Sequence, residues 1–131
     1  MKRYEPIYTD DGWSDRLTFS PAVRAGGFLF ISGMTATNER REIVGPGDIV
    51  AQARHIFQKM EKVLAAAGAS FDDVVETTEY FTSLDDYART AEVRREAFGG
   101  PPYPAATGVR VAGLIREEAL IEIKATAVLD D

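Results

Sequence analysis

Glu122 is the residue of this sequence best set for chemistry. It stands in the run Leu120-Ile121-Glu122-Ile123-Lys124-Ala125, where a strand with apolar neighbours can hold a carboxylate partly out of water. Desolvation favours the neutral form and tunes such a group for acid or base work, or for positioning a water. Strand alternation puts Glu122 and Lys124 on one face and Ile121 and Ile123 on the other, so an ordinary solvent-facing glutamate is the competing reading. The other candidates read more plainly. His55 is the sole histidine and lies beside Ile56 and Phe57 in a helical stretch. With no second histidine it builds no His-pair metal site, and it is expected at the surface or boundary. Asp10-Asp11 and Asp72-Asp73 fall where turns and helix caps use carboxylates. Arg94-Arg95 reads as a solvated helix face.

Several chemistries are excluded outright. Cysteine is absent, which removes disulfides, thiolate nucleophiles and zinc-thiolate sites together. No Gly-rich phosphate loop, Gly-x-Ser-x-Gly elbow or metal-ligand spacing occurs. A formal charge of −6 argues against a broad phosphate-binding surface, because nucleic-acid affinity comes mainly from clustered Lys and Arg.

The elements that must position Glu122 follow from periodicity. Phe28-Leu29-Phe30-Ile31-Ser32-Gly33 is an apolar, β-rich run after the turn-forming pair Gly26-Gly27, and is expected as a central strand. Ile49, Ala53, Ile56, Phe57, Met60, Val63, Leu64 and Ala67 follow helical spacing, with Asp48 as N-cap and Gly68 as stop. A strand is expected over Val74 to Leu84, then a helix from Asp85 to Phe98 with Tyr87, Ala91, Arg94 and Phe98 on one side. Gly99-Gly100-Pro101-Pro102 must break that helix. Extended runs follow over Ala106 to Leu114 and Leu120 to Leu129, joined by the polar turn Arg116-Glu117-Glu118.

With 45% hydrophobic and 27% charged residues in 131, the sequence fits one globular domain over 1–131, without linker or repeat. The element order implies an α+β fold, a mixed sheet covered on one face by two helices. The uncovered face argues for self-association, since a large apolar sheet surface rarely stays exposed in a soluble monomer. A chain this size buries roughly two-thirds of its unfolded surface, which leaves little room for a deep private pocket and suits a site shared between subunits. No run approaches the ~20 apolar residues of a membrane span, and the N-terminus lacks a secretory apolar stretch, so a cytoplasmic protein without a membrane partner is expected.

The order Ile31-Ser32-Gly33, Ala51-Gln52-Ala53-Arg54, Leu64-Ala65-Ala66-Ala67-Gly68, Tyr80-Phe81-Thr82, Glu96-Ala97-Phe98, Tyr103-Pro104-Ala105 and Ile121-Glu122-Ile123 resembles the YjgF/Rid family from about Phe19 to the end. The resemblance implies a chorismate-mutase-like homotrimer with three clefts between subunits. In its best-known branch it implies hydrolysis of enamine and imine intermediates to keto acids and ammonia. No cofactor is implied. An arginine after the Pro-Ala pair would clamp a substrate carboxylate, a tyrosine would lie in the early loop, and a last-strand glutamate would position water. Glu122 matches the glutamate, and Ser32-Gly33 match the strand end that lines the cleft. Ala106 stands where the arginine belongs, and Ala22 near the tyrosine, which makes this a non-archetypal branch. Loss of a bidentate carboxylate contact of about 1.5–3 kcal/mol puts archetypal aminoacrylate deamination in doubt.

Arg110 is a candidate substitute. It shares a face with Ala106 four residues, or about 13 Å, away; its plain alternative is a strand arginine paired with Glu122 on the adjacent strand. Phe98 and Tyr103 would wall a less polar substrate or pack in a subunit interface. The expected function is hydrolysis or deamination of a small enamine, imine or related carbonyl compound. Glu122 would orient water, and backbone groups near Ser32-Gly33 and Thr107 would hold the substrate. The alternative is a non-catalytic small-metabolite-binding or regulatory trimer. Ribonuclease activity is argued against by the acidic charge and the lack of a His/Lys acid-base pair.

Overall fold

Alternating burial along the apolar runs produces a six-stranded sheet. The computed structural model describes residues 1–129. Its strands are β1 (Glu5–Ile7), β2 (Ala22–Ala25), β3 (Phe28–Met34), β4 (Val74–Phe81), β5 (Ala105–Arg110) and β6 (Ile121–Val128), with helices α1 (Ile49–Ala66) and α2 (Ala91–Phe98). The sheet order is β1-β2-β3-β6-β4-β5. Only β4 and β5 run parallel; every other neighbouring pair is antiparallel. This is the expected α+β fold, a mixed sheet with both helices on one face.

α1 forms where its apolar stripe predicts. Asp48 Oδ1 accepts from Ala51 N at 3.0 Å and caps the first turn. At the other end Gly68, at φ 76°, takes the left-handed position. There Gly68 N donates to Ala65 O at 3.0 Å and Ala69 N to Leu64 O at 2.8 Å, the paired bonds of a Schellman stop. The Arg24 guanidinium reaches Ala67 O at 2.9 Å and meets the negative end of the helix dipole. The stripe Ile56, Met60 and Leu64 is fully buried against Leu29, Ile31, Ile121 and Ile123.

Alternation then fixes the two faces of the sheet. In β6, Ile121, Ile123, Ala125 and Ala127 are buried under the helices, while Glu122, Lys124, Thr126 and Val128 leave the open face. β3 pairs with β6 through a bulge: Ile31 opposes Ala125 and Met34 opposes Ile123, so Ser32 and Gly33 together face Lys124. The open face keeps Phe28 and Phe30 about half exposed.

The structure differs from expectation in two elements. The segment Asp85 to Phe98 is not one helix: a 3₁₀ turn at Tyr87–Thr90 precedes α2. Asp86 lies at φ 61°, and the Thr90 hydroxyl donates to Tyr87 O at 2.7 Å, a local bond that competes with the helical ladder. β5 ends at Arg110 rather than Leu114, because its partner β4 ends at Phe81. Residues 111–120 return as a loop that includes the expected polar turn. Among the described residues no helix is long and apolar enough to cross a membrane.

Gln52, buried in the middle of this arrangement, ties the return loop to α1. Its Nε2 donates to Gly45 O at 3.0 Å and Glu118 O at 3.2 Å, and its Oε1 accepts from Leu120 N at 2.8 Å. Gln52→Leu strands three backbone groups in an apolar setting and is expected to cost about 3 kcal/mol in urea-unfolding stability.

Candidate functional site

The bulge in β3 brings Ser32, Gly33 and Glu122 together. A Cβ added to Gly33 would overlap the Glu122 carboxylate, with Cδ only 3.1 Å away, so the absence of a side chain at 33 is what lets the carboxylate lie on the strand. The Ser32 hydroxyl donates to Ser20 O at 2.6 Å and Ser32 N to Pro21 O at 3.0 Å, which fastens the early loop beside this spot. Glu122 is half-buried and, among the described residues, has no ion pair or hydrogen-bonded partner. Burial pushes its carboxyl above the ordinary range.

The early loop itself forms an open groove of about 760 Å³ lined by Tyr8, Trp13, Leu17, Phe19, Ser20 and Val23. Trp13 Nε1 donates to Phe19 O at 2.8 Å, and the two rings meet edge to face at 5.4 Å. Ala22 is buried in β2, and the aromatics at the groove are Tyr4, Tyr8, Trp13 and Phe19.

A second concavity, of about 200 Å³, lies on the helix side of the sheet between α2 and β5. It is lined by Thr77, Arg94, Arg95, Phe98, Tyr103 and Ala106. Phe98 also packs inward, edge-on to Phe57 and Phe71 with centroids 5.8 and 5.5 Å away. Arg94 is not on a solvated face as its sequence setting suggested. Its Nη1 donates to Glu79 Oε1 at 2.9 Å and to Thr90 Oγ1 at 2.8 Å. Glu79 is 2% exposed; its Oε1 also accepts from the Tyr87 hydroxyl at 2.6 Å, and its buried Oε2 has no partner. Burial, then the bond to Glu79, raises the Tyr87 phenol to about 12.

Arg110 and Glu122 do not meet. β4 stands between their strands, and register puts them on opposite faces: Arg110 pairs with the inward Phe81, Glu122 with the outward Tyr80. Thr107 pairs with Thr78 on the open face, displaced along the sheet from the Tyr80–Glu122 pair. One chain therefore assembles Ser32, Gly33 and Glu122 on one face and Phe98 and Tyr103 on the other, with Arg110 exposed beyond them. Glu79 escaped the sequence reading although Thr77, Glu79 and Phe81 alternate inward. The clue was the inner stripe of the second helix, which already held Arg94 beside Tyr87 and Phe98. His55 sits at the boundary as expected, its Nε2 3.0 Å from Thr37 O. Among the described residues no three His, Asp or Glu side chains converge as metal ligands would.

Residues 14–129 match the family model described as endoribonuclease L-PSP. A RutC family protein of Pyrococcus horikoshii is 36% identical over 123 residues, covering 94% of this chain and 96% of that one. This chain belongs to the YjgF/Rid family. The RidA structure from the Antarctic bacterium Psychrobacter sp. superposes with a TM-score of 0.85 at 31% identity, covering 95% of this chain and 99% of that one. The Rid-family protein YyfA of Yersinia pestis gives 0.88 at 28% identity, covering 96% and 99%. Ala106 lines the pocket beside α2 together with Arg94.

The raised carboxyl of Glu122 has a stability signature. Its folded-state value lies above the unfolded one, so the ionised group opposes folding once pH rises through the folded value. Glu122→Gln is therefore expected to melt at a higher temperature than wild type at neutral pH, with the gap closing as the wild-type carboxyl protonates in acid. Calorimetry across pH measures this directly.

Proposed function

We propose that this chain is a Rid-type hydrolase or deaminase that acts on a small enamine, imine or related carbonyl metabolite, with Glu122 orienting the attacking water. The observation that carries the reading is the state of the Glu122 carboxylate, half-buried and seated over bare backbone at Gly33. The structural carboxylates behave otherwise. Asp48 accepts from Ala51 N, Asp73 from Ser70 N, and Glu79 from Tyr87 and Arg94. Glu122 keeps its lone pairs for a water. That water adds to the C=N carbon as the carboxylate accepts its proton and passes it to the nitrogen; the carbinolamine then collapses to the carbonyl product as its hydroxyl proton moves to the nitrogen, which leaves as ammonia. No metal or redox step is needed for the atoms to balance.

A cleft that uses both faces of the sheet requires a second copy, since Glu122 and the aromatic pocket are separated within one chain. Phe28, Phe30, Val109 and Val128 on the open face supply apolar surface for that assembly. The reading is a homotrimer with the ligand at each subunit boundary and Arg110 at its margin. Ala106 in place of arginine also supports a second reading, a metabolite binder that performs no chemistry. Ribonuclease action, which the family description names, gains nothing from a charge of −6 and a single histidine held at the Thr37 carbonyl.

Ammonia release from freshly generated imines of several amino acids tests the proposal. Wild type is expected to turn over at least one, and Glu122→Gln to lose about 100-fold, as removal of a general base does. Gly33→Ala should lose a similar factor by displacing the carboxylate while leaving the circular dichroism spectrum intact. Silence across the panel with saturable ligand binding would select the binder. Light scattering should return three chain masses, and a single chain mass would sink the shared-cleft reading.

A further inference from the structure

We infer that Arg94 anchors a carboxylate in the pocket between α2 and β5, and that the ligand of this protein is a small monocarboxylic acid with a flat or branched apolar body. The inference deepens the hydrolase reading and rests on it for the link to turnover, though not for binding itself. Its starting point is an arginine fixed on one side and open on the other. Nη1 is committed to Glu79 Oε1 and Thr90 Oγ1, and the guanidinium carbon lies 5.5 Å from the centre of the Tyr87 ring. Tyr87 is itself immobilised, stacked on Phe81 at 3.9 Å and bonded to Glu79. Nε and Nη2 have no acceptor among the described residues, while the side chain, 24% exposed, lines the pocket. A guanidinium presents its donors in a planar fork matched to two carboxylate oxygens, so the unused edge is a preformed receptor for that group.

Fold stability gives a poor account of this arrangement. An ion pair with one carboxylate oxygen buried and unpartnered is commonly no better for stability than apolar residues of the same volume. Holding the guanidinium in place ahead of binding does reduce the ordering cost that a mobile surface arginine would bear. The walls define the rest of the ligand. Phe98, Tyr103, Pro104, Ala91 and the Ala106 methyl are apolar or aromatic, and Arg95 adds positive charge at the rim. A cavity of about 150 Å³ takes a benzene-sized molecule. The 200 Å³ here suits a ring or branched chain together with its carboxylate. Ala106 leaves this volume free, where a long side chain would fill it. The guanidinium that β5 lacks is thus supplied by α2.

Isothermal titration of the assembled wild-type protein with benzoate and with its neutral isostere benzamide tests the assignment. Benzoate is expected to bind more tightly by about tenfold or more, the worth of a charge-assisted pair. The double variant Glu79→Gln/Arg94→Gln removes both charges without leaving one buried alone, and should bind the two probes equally. Ala106→Phe, which fills the pocket without touching the ion pair, should bind neither and keeps the test decisive if the double variant fails to fold. Titration of wild type reads benzoate binding without any turnover, so a failure of the hydrolase reading appears as absent turnover with the anion site intact. Equal affinity of wild type for both probes, no saturable binding at millimolar concentration, or a preference for benzoate that survives in either pocket variant would overturn the assignment.

Discussion

Burial of the α1 stripe against β3 and β6 is the interaction on which everything else here depends. Ile56, Met60 and Leu64 accept only apolar partners, and Leu29, Ile31, Ile121 and Ile123 supply them. Because strand side chains alternate, committing Ile121 and Ile123 to the helix leaves Glu122 no choice of face. A one-residue slip of β6 would bury Glu122 and Lys124 beneath α1 and expel both isoleucines. The position of the candidate catalytic carboxylate is thus a by-product of core packing, sharpened by a bulge that brings Gly33 beneath it.

What could be read from the residues alone follows how local the governing physics is. α1 was legible end to end, since Asp48, the apolar stripe and Gly68 act within a few residues of one another. Ser32, Gly33 and Glu122 were likewise legible as a group once the family resemblance was recognised. Strand order was not: Arg110 and Glu122 lie on strands consecutive in sequence, yet β4 inserts between them. That insertion depends on the parallel pairing of β4 with β5, which no local spacing encodes. The Glu79–Arg94 pair was missed for a related reason. Two charged residues fifteen positions apart read as solvated until the sheet and α2 are brought together, and the 3₁₀ turn that aims Tyr87 at Glu79 stands where periodicity alone extends a helix.

The candidate site residues are divided between the two faces of one sheet, and the division matches the chain's size. A domain this small commits its interior to a single core, so polar chemistry is pushed to the margins of that core. Glu122 sits at the edge of the open face and Arg94 at the edge of the helical layer. Each is held by groups that also belong to the fold, the one by Gly33 and the bulge, the other by Glu79, Thr90 and Tyr87.

β6 follows the other five strands of the sheet in sequence, yet it lies inside the sheet, between β3 and β4. During synthesis, therefore, β3 and β4 emerge from the ribosome without the partner that both require. Until residues 121–128 have been made, each presents an unpaired backbone edge and an apolar flank, the surfaces through which nascent chains stick to one another. Pairing β3 with β6, Phe28 opposite Val128, also closes a loop of about three quarters of the chain, a long-range contact that slows folding. The burden on the cell's chaperones falls in that interval, and a chain truncated just before Ile121 would remain in it.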